Sequence, residues 1–146
     1  MTDYLPREMA PRLVTAMQRL PVIVLSGLRQ VGKSYLLQRE QSVAADRTYR
    51  TLDDFTTLAA AKENPESLLD GAVTLDEVQR CPELLMSIKQ DVDRKRRPGR
   101  YVLSGSANLA LLGHVSETLA GRATYLTLHP MTRREINGQT GTPPFL

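Results

Sequence analysis

Pro21-Val22-Ile23-Val24-Leu25-Ser26 runs straight into Gly27-Leu28-Arg29-Gln30-Val31-Gly32-Lys33-Ser34 and then into Tyr35-Leu36-Leu37-Gln38-Arg39-Glu40. The three pieces read as a buried strand, a glycine-containing loop and a helix, which is the context a phosphate-binding loop requires. Polyphosphate oxygens need backbone N–H groups at close range, and glycine lets the chain bend round an anion with no Cβ in the way. Gly27 and Gly32 meet that need, with Leu28, Arg29, Gln30 and Val31 between them. The side chains of Arg29 and Gln30 either add to the site or face solvent. Lys33 is placed to reach the terminal phosphates as a point charge, and Ser34 to offer its hydroxyl to Mg²⁺. The helix entered at Tyr35 aims the positive end of its dipole at the anion.

A second acidic site follows. Ala72-Val73-Thr74-Leu75 reads as a strand ending in Asp76-Glu77. A nucleotide-bound Mg²⁺ prefers hard oxygen ligands and keeps several waters, so a carboxylate at a neighbouring strand end can hold one of those waters. Asp76 fits that role, and Glu77, one step on, fits a group that orients or deprotonates an attacking water. Acidic residues also favour helix N-termini, so capping a helix from Val78 onward is the competing reading. Thr74 interrupts the apolar run. Beyond the strand at 101–104, Ser106 and Asn108 are candidates to sense the γ-phosphate, because ligands of parallel sheets gather past the strands' C-terminal ends. Turn formation and capping of the helix from Leu109 would explain them equally well.

Short apolar strands alternate with helical patterns along the whole chain, which predicts helices on both faces of a mainly parallel sheet. Five strands are expected, at 21–26, 48–52, 72–75, 101–104 and 124–128. Met9, Leu13, Val14, Met17 and Leu20 form a helical stripe, with Pro11 tolerable only in its opening turn. Leu85, Ile88 and Val92 form another, and Leu112, Val115 and Leu119 a third. A short helix at 55–63 ends at Asn64-Pro65.

With 146 residues, 41% of them hydrophobic and 24% charged, the chain fits one globular domain. No apolar run is long enough to span a membrane and no signal peptide opens the sequence, so a cytoplasmic domain is expected. Cys81 is the sole cysteine, which rules out an internal disulfide and a thiolate metal cluster. His114 and His129 have no neighbouring ligand types and read as structural. A net charge of +3 does not by itself indicate a nucleic-acid partner. The basic segment Arg94-Lys95-Arg96-Arg97-Pro98-Gly99-Arg100 is where DNA contact would begin, although a solvated turn after a helix explains it as well. Arg122, after Gly121, is a candidate charge-neutralising finger in cis or from a neighbouring subunit, or simply a cation at a helix end.

Taken in order, these blocks resemble the ATPase domain of a prokaryotic AAA-type family in which a P-loop module is usually fused to a C-terminal domain of unassigned function. The resemblance rests on 27–34, on Leu52-Asp53-Asp54, Leu75-Asp76-Glu77-Val78-Gln79-Arg80 and Pro82-Glu83-Leu84-Leu85, on 103–108, and on Leu119-Ala120-Gly121-Arg122 with Leu128-His129-Pro130. It implies a three-layer α/β fold with a five-stranded, mainly parallel sheet, and a domain over 1–136. It also implies that Lys33 and Ser34 bind phosphate and Mg²⁺, that Asp76 supports the metal, that Glu77 activates water, and that Ser106 or Asn108 is the sensor. Residues 137–146 are then a tail, read as the start of a missing linker or C-terminal domain. The expected chemistry is Mg²⁺-dependent hydrolysis of ATP, catalysed by Glu77, Lys33 and Arg122 and coupled to an unknown effector, with a homo-oligomer or the missing C-terminal domain as the expected partner. The alternatives are a nucleotide switch without turnover, a DNA-associated ATPase, and a small-molecule kinase for which no acceptor site or lid is visible. No Asn-Lys-x-Asp guanine-reading motif occurs.

Overall fold

A computed structural model describes residues 8–27, 32–106 and 109–128, without the side chains of 106, 109–112 and 114. The five expected strands are present as β1 (Val22–Gly27), β2 (Thr48–Thr51), β3 (Val73–Asp76), β4 (Tyr101–Ser106) and β5 (Ala123–Thr127), each within two residues of its sequence-based end points. Every pairing is parallel, and the sheet order is β2-β3-β4-β1-β5. α1 (Ala10–Arg19) precedes the first strand; parallel neighbours need long crossovers, supplied among the described residues by α2 (Lys33–Arg39), α3 (Gln41–Ala44), α4 (Phe55–Glu63), α5 (Leu84–Arg94) and α6 (Leu109–Thr118).

Alternation along β1 builds both layers. Val22 and Val24 join Tyr101, Leu103, Val73 and Leu75 on one face, beneath Leu84, Leu85, Ile88 and Val92 of α5 and Val115 of α6. Ile23, Leu25 and Val102 point the other way, beneath Leu13 of α1, Leu36 and Leu37 of α2, and Val43 of α3. Successive side chains of a strand point to opposite faces, so a solidly apolar β1 must be covered twice. The result is a three-layer α/β/α domain.

Local chemistry sets the ends. Pro11 falls in the first turn of α1, where its missing N–H costs nothing. Asp54 caps α4 by accepting from the Thr57 N–H at 3.0 Å and the Thr57 hydroxyl at 2.8 Å. Thr74, the polar break in β3, is buried because it accepts from Arg47 Nε at 2.8 Å. Arg47 also donates to Val73 O and Gly99 O, tying β2, β3 and the approach to β4 together. Burial first, and the nearby Arg100 charge second, lower the Arg47 pKa to about 10. No helix among the described residues is long and apolar enough to cross a membrane.

Candidate functional site

Gly27, Gly32, Lys33 and Ser34 of the candidate phosphate loop lie at the C-terminal end of the sheet. β1 ends at Gly27, and α2 begins at Lys33 after Gly32, whose φ of 93° is a left-handed backbone that suits glycine. Lys33 is buried and its Nζ donates to Gly27 O at 2.9 Å, which ties the start of α2 to the end of β1. Leu28, Arg29, Gln30 and Val31 lie outside the described residues. Tyr35 is well exposed in the first turn of α2.

Asp76 is the hub of the site. It ends β3 with 1% of its surface exposed, and the described hydrogen-bond partners of its carboxylate are three hydroxyls. Ser34 Oγ donates to Asp76 Oδ2 at 2.5 Å, and Tyr49 Oη donates to the same oxygen at 2.5 Å. Ser104 Oγ donates to Asp76 Oδ1. The strand order explains the geometry: β4 lies between β1 and β3, and pairing of Leu75 with Leu103 sets Asp76 beside Ser104. Pairing of Thr51 with Asp76 sets β2 on the other side, with Tyr49 two residues upstream. Burial, and then donation to Asp76, raise the Tyr49 phenol to about 12, against the smaller opposing pull of Gln38 and Ser34.

The donor set suits Mg²⁺. That ion favours oxygen ligands, keeps several waters and is usually held by few protein groups together with substrate phosphates. The Ser34 hydroxyl could ligate it directly, and Asp76 beside it could accept from a metal-bound water.

Glu77 follows with φ 60° and ψ 45°, a strained backbone for a non-glycine residue. The turn redirects the chain into a short 3₁₀ segment, Val78–Arg80. Neither acidic side chain caps a helix here: Asp76 is inside the strand, and Glu77 makes no side-chain capping bond. The capping alternative is thereby corrected. The Glu77 carboxylate instead accepts from Gln79 Nε2, while Arg80 Nε pairs with Asp53 Oδ1 at 2.5 Å at the end of β2.

Other expectations part from this cluster. Arg122 sits just ahead of β5, where its carbonyl accepts from the N–H of Val22 at the start of β1. A six-residue strand spans about 17 Å from first to last Cα, so Arg122 lies at the wrong end of the sheet to touch a phosphate beside Gly27. Its guanidinium is held by Asp93 at 2.7 and 3.0 Å and by Ala120 O at 2.8 Å. The cis-finger reading is therefore corrected. Arg94, Lys95, Arg96 and Arg97 are exposed at that same far end, whereas Arg100 turns inward to Leu69 O at 2.5 Å. Gly27 pairs with Ser106 in the sheet, which puts the Ser106 backbone beside the loop. The side chains of Ser106 and His114, and Asn108, His129 and 137–146 entirely, lie outside the described residues. Cys81 is fully buried and donates to Glu83 Oε2 at 3.2 Å.

Sequence reasoning passed over Tyr49, Ser104 and Gln79. The signal for Ser104 was a hydroxyl inside an apolar strand, readable only once the pairing of β4 with β3 is known. Tyr49 looked like an ordinary aromatic strand residue, and its partner is distant in sequence.

Comparison with known proteins agrees with this layout. Residues 19–137 match the model of a family described as an AAA domain. Uncharacterized proteins of Mycobacterium tuberculosis and Mycobacterium bovis are each 38% identical over 135 residues, covering 89% of this chain. The chain spans 30% of the length of these relatives. Among solved structures, the Walker-type ATPase PABY2304 of Pyrococcus abyssi superposes with a TM-score of 0.62 at 17% identity, covering 91% of this chain and 56% of that one. The P-loop NTPase domain of the sigma-54 transport activator from E. coli gives 0.52 at 19% identity, covering 85% and 92%. At such identities the likeness concerns the fold alone.

Proposed function

The chain belongs to this AAA domain family, and from that premise we propose that it binds ATP with Mg²⁺ and hydrolyses it to ADP and phosphate. The observation that carries the proposal is the 2.5 Å hydrogen bond from Ser34 to the buried Asp76, joining the loop after β1 to the end of β3. A hydroxyl and a carboxylate brought together from distant sequence at a helix N-terminus match what a metal-bound polyphosphate needs.

In this reading the amides of residues 27–35 cradle the phosphates and Lys33 neutralises the terminal ones. Ser34 and Asp76 hold the ion and its water. The ion held there would supply charge neutralisation to the reacting phosphates. Glu77 accepts a proton from the attacking water as its oxygen bonds to the γ-phosphorus. The bond from that phosphorus to the bridging oxygen breaks, and ADP carries away the electron pair. Ser106 or Asn108 contacts the γ-phosphate. Arg122 can reach such a site only across a boundary with a second copy. The work that hydrolysis drives is assigned to a partner or to a further domain of the kind the longer relatives have room for.

Steady-state phosphate release and calorimetric titration with MgATP test this on the wild type, Lys33→Ala and Glu77→Gln. Lys33→Ala should lose nucleotide affinity. Glu77→Gln should bind ATP within a few-fold of wild type yet release phosphate about 10²- to 10⁴-fold more slowly, the range for loss of a general base. Equal phosphate release by wild type and Lys33→Ala, or no binding heat from the wild type, would overturn the proposal. ATP binding by a wild type that releases no phosphate would favour a nucleotide switch without turnover.

A further inference from the structure

Tyr49 is a tyrosine on the edge strand β2, half-buried, with one side of its ring against the α1–α3 core. Together with Gln38, Arg47 and Thr74 it also lines a cavity of about 340 Å³. A phenol so placed could direct its hydroxyl into that cavity. It bonds instead to Asp76 Oδ2 at 2.5 Å, the oxygen that also accepts from Ser34 at 2.5 Å.

The lone-pair count gives this bond a consequence. A carboxylate offers about four acceptor positions, two on each oxygen. Ser34 and Tyr49 take both positions on Oδ2, and Ser104 takes one on Oδ1. A single acceptor direction on Oδ1 is left for a further donor. Without Tyr49, a second direction would open on Oδ2, and the carboxylate would be anchored by two serines, whose hydroxyls rotate freely. The phenol oxygen, by contrast, is fixed by a rigid ring packed against the core.

We propose that Tyr49 is a positioning residue for the metal: by occupying Asp76 Oδ2 it fixes the carboxylate so that one oxygen faces a water bound to Mg²⁺, and thereby sets the affinity for that ion. The inference rests on the nucleotide-binding reading above and assigns Tyr49 no contact with ATP. Groups that orient a metal-binding carboxylate typically change metal affinity by 10- to 100-fold when removed. Asp76 would act through water, so the lower end, about tenfold, is expected.

The test compares Tyr49→Phe with wild type, both first shown by circular dichroism to be folded. ATP binding is measured by calorimetry in EDTA and then across a Mg²⁺ titration. The variant should require about tenfold more Mg²⁺ for half-maximal enhancement of binding, while its metal-free ATP affinity stays within twofold of wild type. A second readout needs no turnover. The chain has five tyrosines and no tryptophan, so its ultraviolet emission is tyrosine emission. Adding Mg²⁺ to the ATP-bound wild type should change that emission through Tyr49, and the change should be missing in Tyr49→Phe. An unaltered or lower Mg²⁺ requirement in a folded variant overturns the inference. Equal loss of affinity with and without metal also overturns it, by making Tyr49 a structural support only. A wild type that binds no nucleotide under any condition refutes the underlying reading instead, so the two failures are distinguishable.

Discussion

Replacing Gly99 by alanine should destabilise the domain much more than the same change at Gly71, and the difference measures one contact. Both glycines have left-handed backbones, with φ of +70° at Gly99 and +67° at Gly71. An L side chain in that region costs about 1–2 kcal/mol, and replacing glycine returns about 0.4–1 kcal/mol by restricting the unfolded chain. Gly71→Ala should therefore cost about 0.8 kcal/mol at the middle of these ranges, because a Cβ there meets nothing within 4 Å. At Gly99 the new Cβ would lie 2.8 Å from Met17 O, a backbone atom of α1 that cannot swing aside. Forced overpacking of this kind adds about 1–3 kcal/mol, for a total of about 2–4 kcal/mol. At about 3 °C per kcal/mol for a domain of this size, the melting temperature should fall by about 6–12 °C for Gly99→Ala and by about 3 °C or less for Gly71→Ala. Urea unfolding and calorimetry on the purified variants give both values. Two variants of equal stability would refute the packing of α1 against the approach to β4. Gly99 also donates to Leu20 O and accepts from Arg47, so a shift there would disturb three elements together.

Ser104→Ala removes one of the three donors on Asp76 and should raise the Mg²⁺ needed for ATP binding while leaving metal-free binding intact, as read by calorimetry; an unchanged requirement would show that the two remaining hydroxyls suffice. Arg122→Ala should leave ATP affinity unchanged, because the guanidinium is engaged by Asp93 at the far end of the sheet. A loss of affinity in dilute monomer would contradict that placement. Cys81 should resist alkylation at neutral pH and react fully after unfolding, since burial, foremost, and then the neighbouring Glu83 raise its thiol pKa and no solvent reaches it; rapid labelling of the native protein would count against its position. The Asp54 carboxylate, held below its ordinary value of 3.8 by the hydroxyl and the N–H of Thr57, should support α4 above that pH and release it as acid protonates the cap. A loss of amide protection in α4 on acidification, after correction for the intrinsic exchange rate and absent in Asp54→Ala, would register the effect.

The sheet was legible because its inner strands are apolar, its half-exposed edge strands β2 and β5 follow helical segments, and its helices are striped, the hydrophobic period being set by burial. Errors at the strand ends have a physical source. Asp76 and Ser106 continue the strands although their side chains are polar, because ladder hydrogen bonding extends until the site is reached. The candidate phosphate loop was legible because a backbone cradle for an anion needs glycines, a lysine and a hydroxyl at fixed offsets. Asp76 was legible as the residue ending a strand. Its three donors were only partly so: Ser34 lies in the motif, while Tyr49 and Ser104 become partners through the order β2-β3-β4, which no local spacing encodes. Arg122 misled for the same reason. Following a helix and a glycine, it looked equally able to serve either end of the sheet, and only the direction of β5 decides which.

The described neighbours of the Asp76 carboxylate set it apart from a structural ion pair with arginine. A buried carboxylate bonded to arginine would already have its charge matched, and an incoming dication would have to break that pair. The described donors to Asp76 are hydroxyls from Ser34, Tyr49 and Ser104, which fix its direction without adding positive charge. Arg80, at this end of the sheet, is committed to Asp53, while Arg47 and Arg100 lie toward the opposite end and are bonded there to carbonyls, Thr74 and Asp91. The negative charge at the end of β3 is thus oriented but not matched by a bonded arginine, which favours an arriving cation. Replacing Tyr49 or Ser104 by arginine should therefore be more damaging to Mg²⁺-dependent binding than replacing either by alanine, because a fixed guanidinium would take the place of the ion.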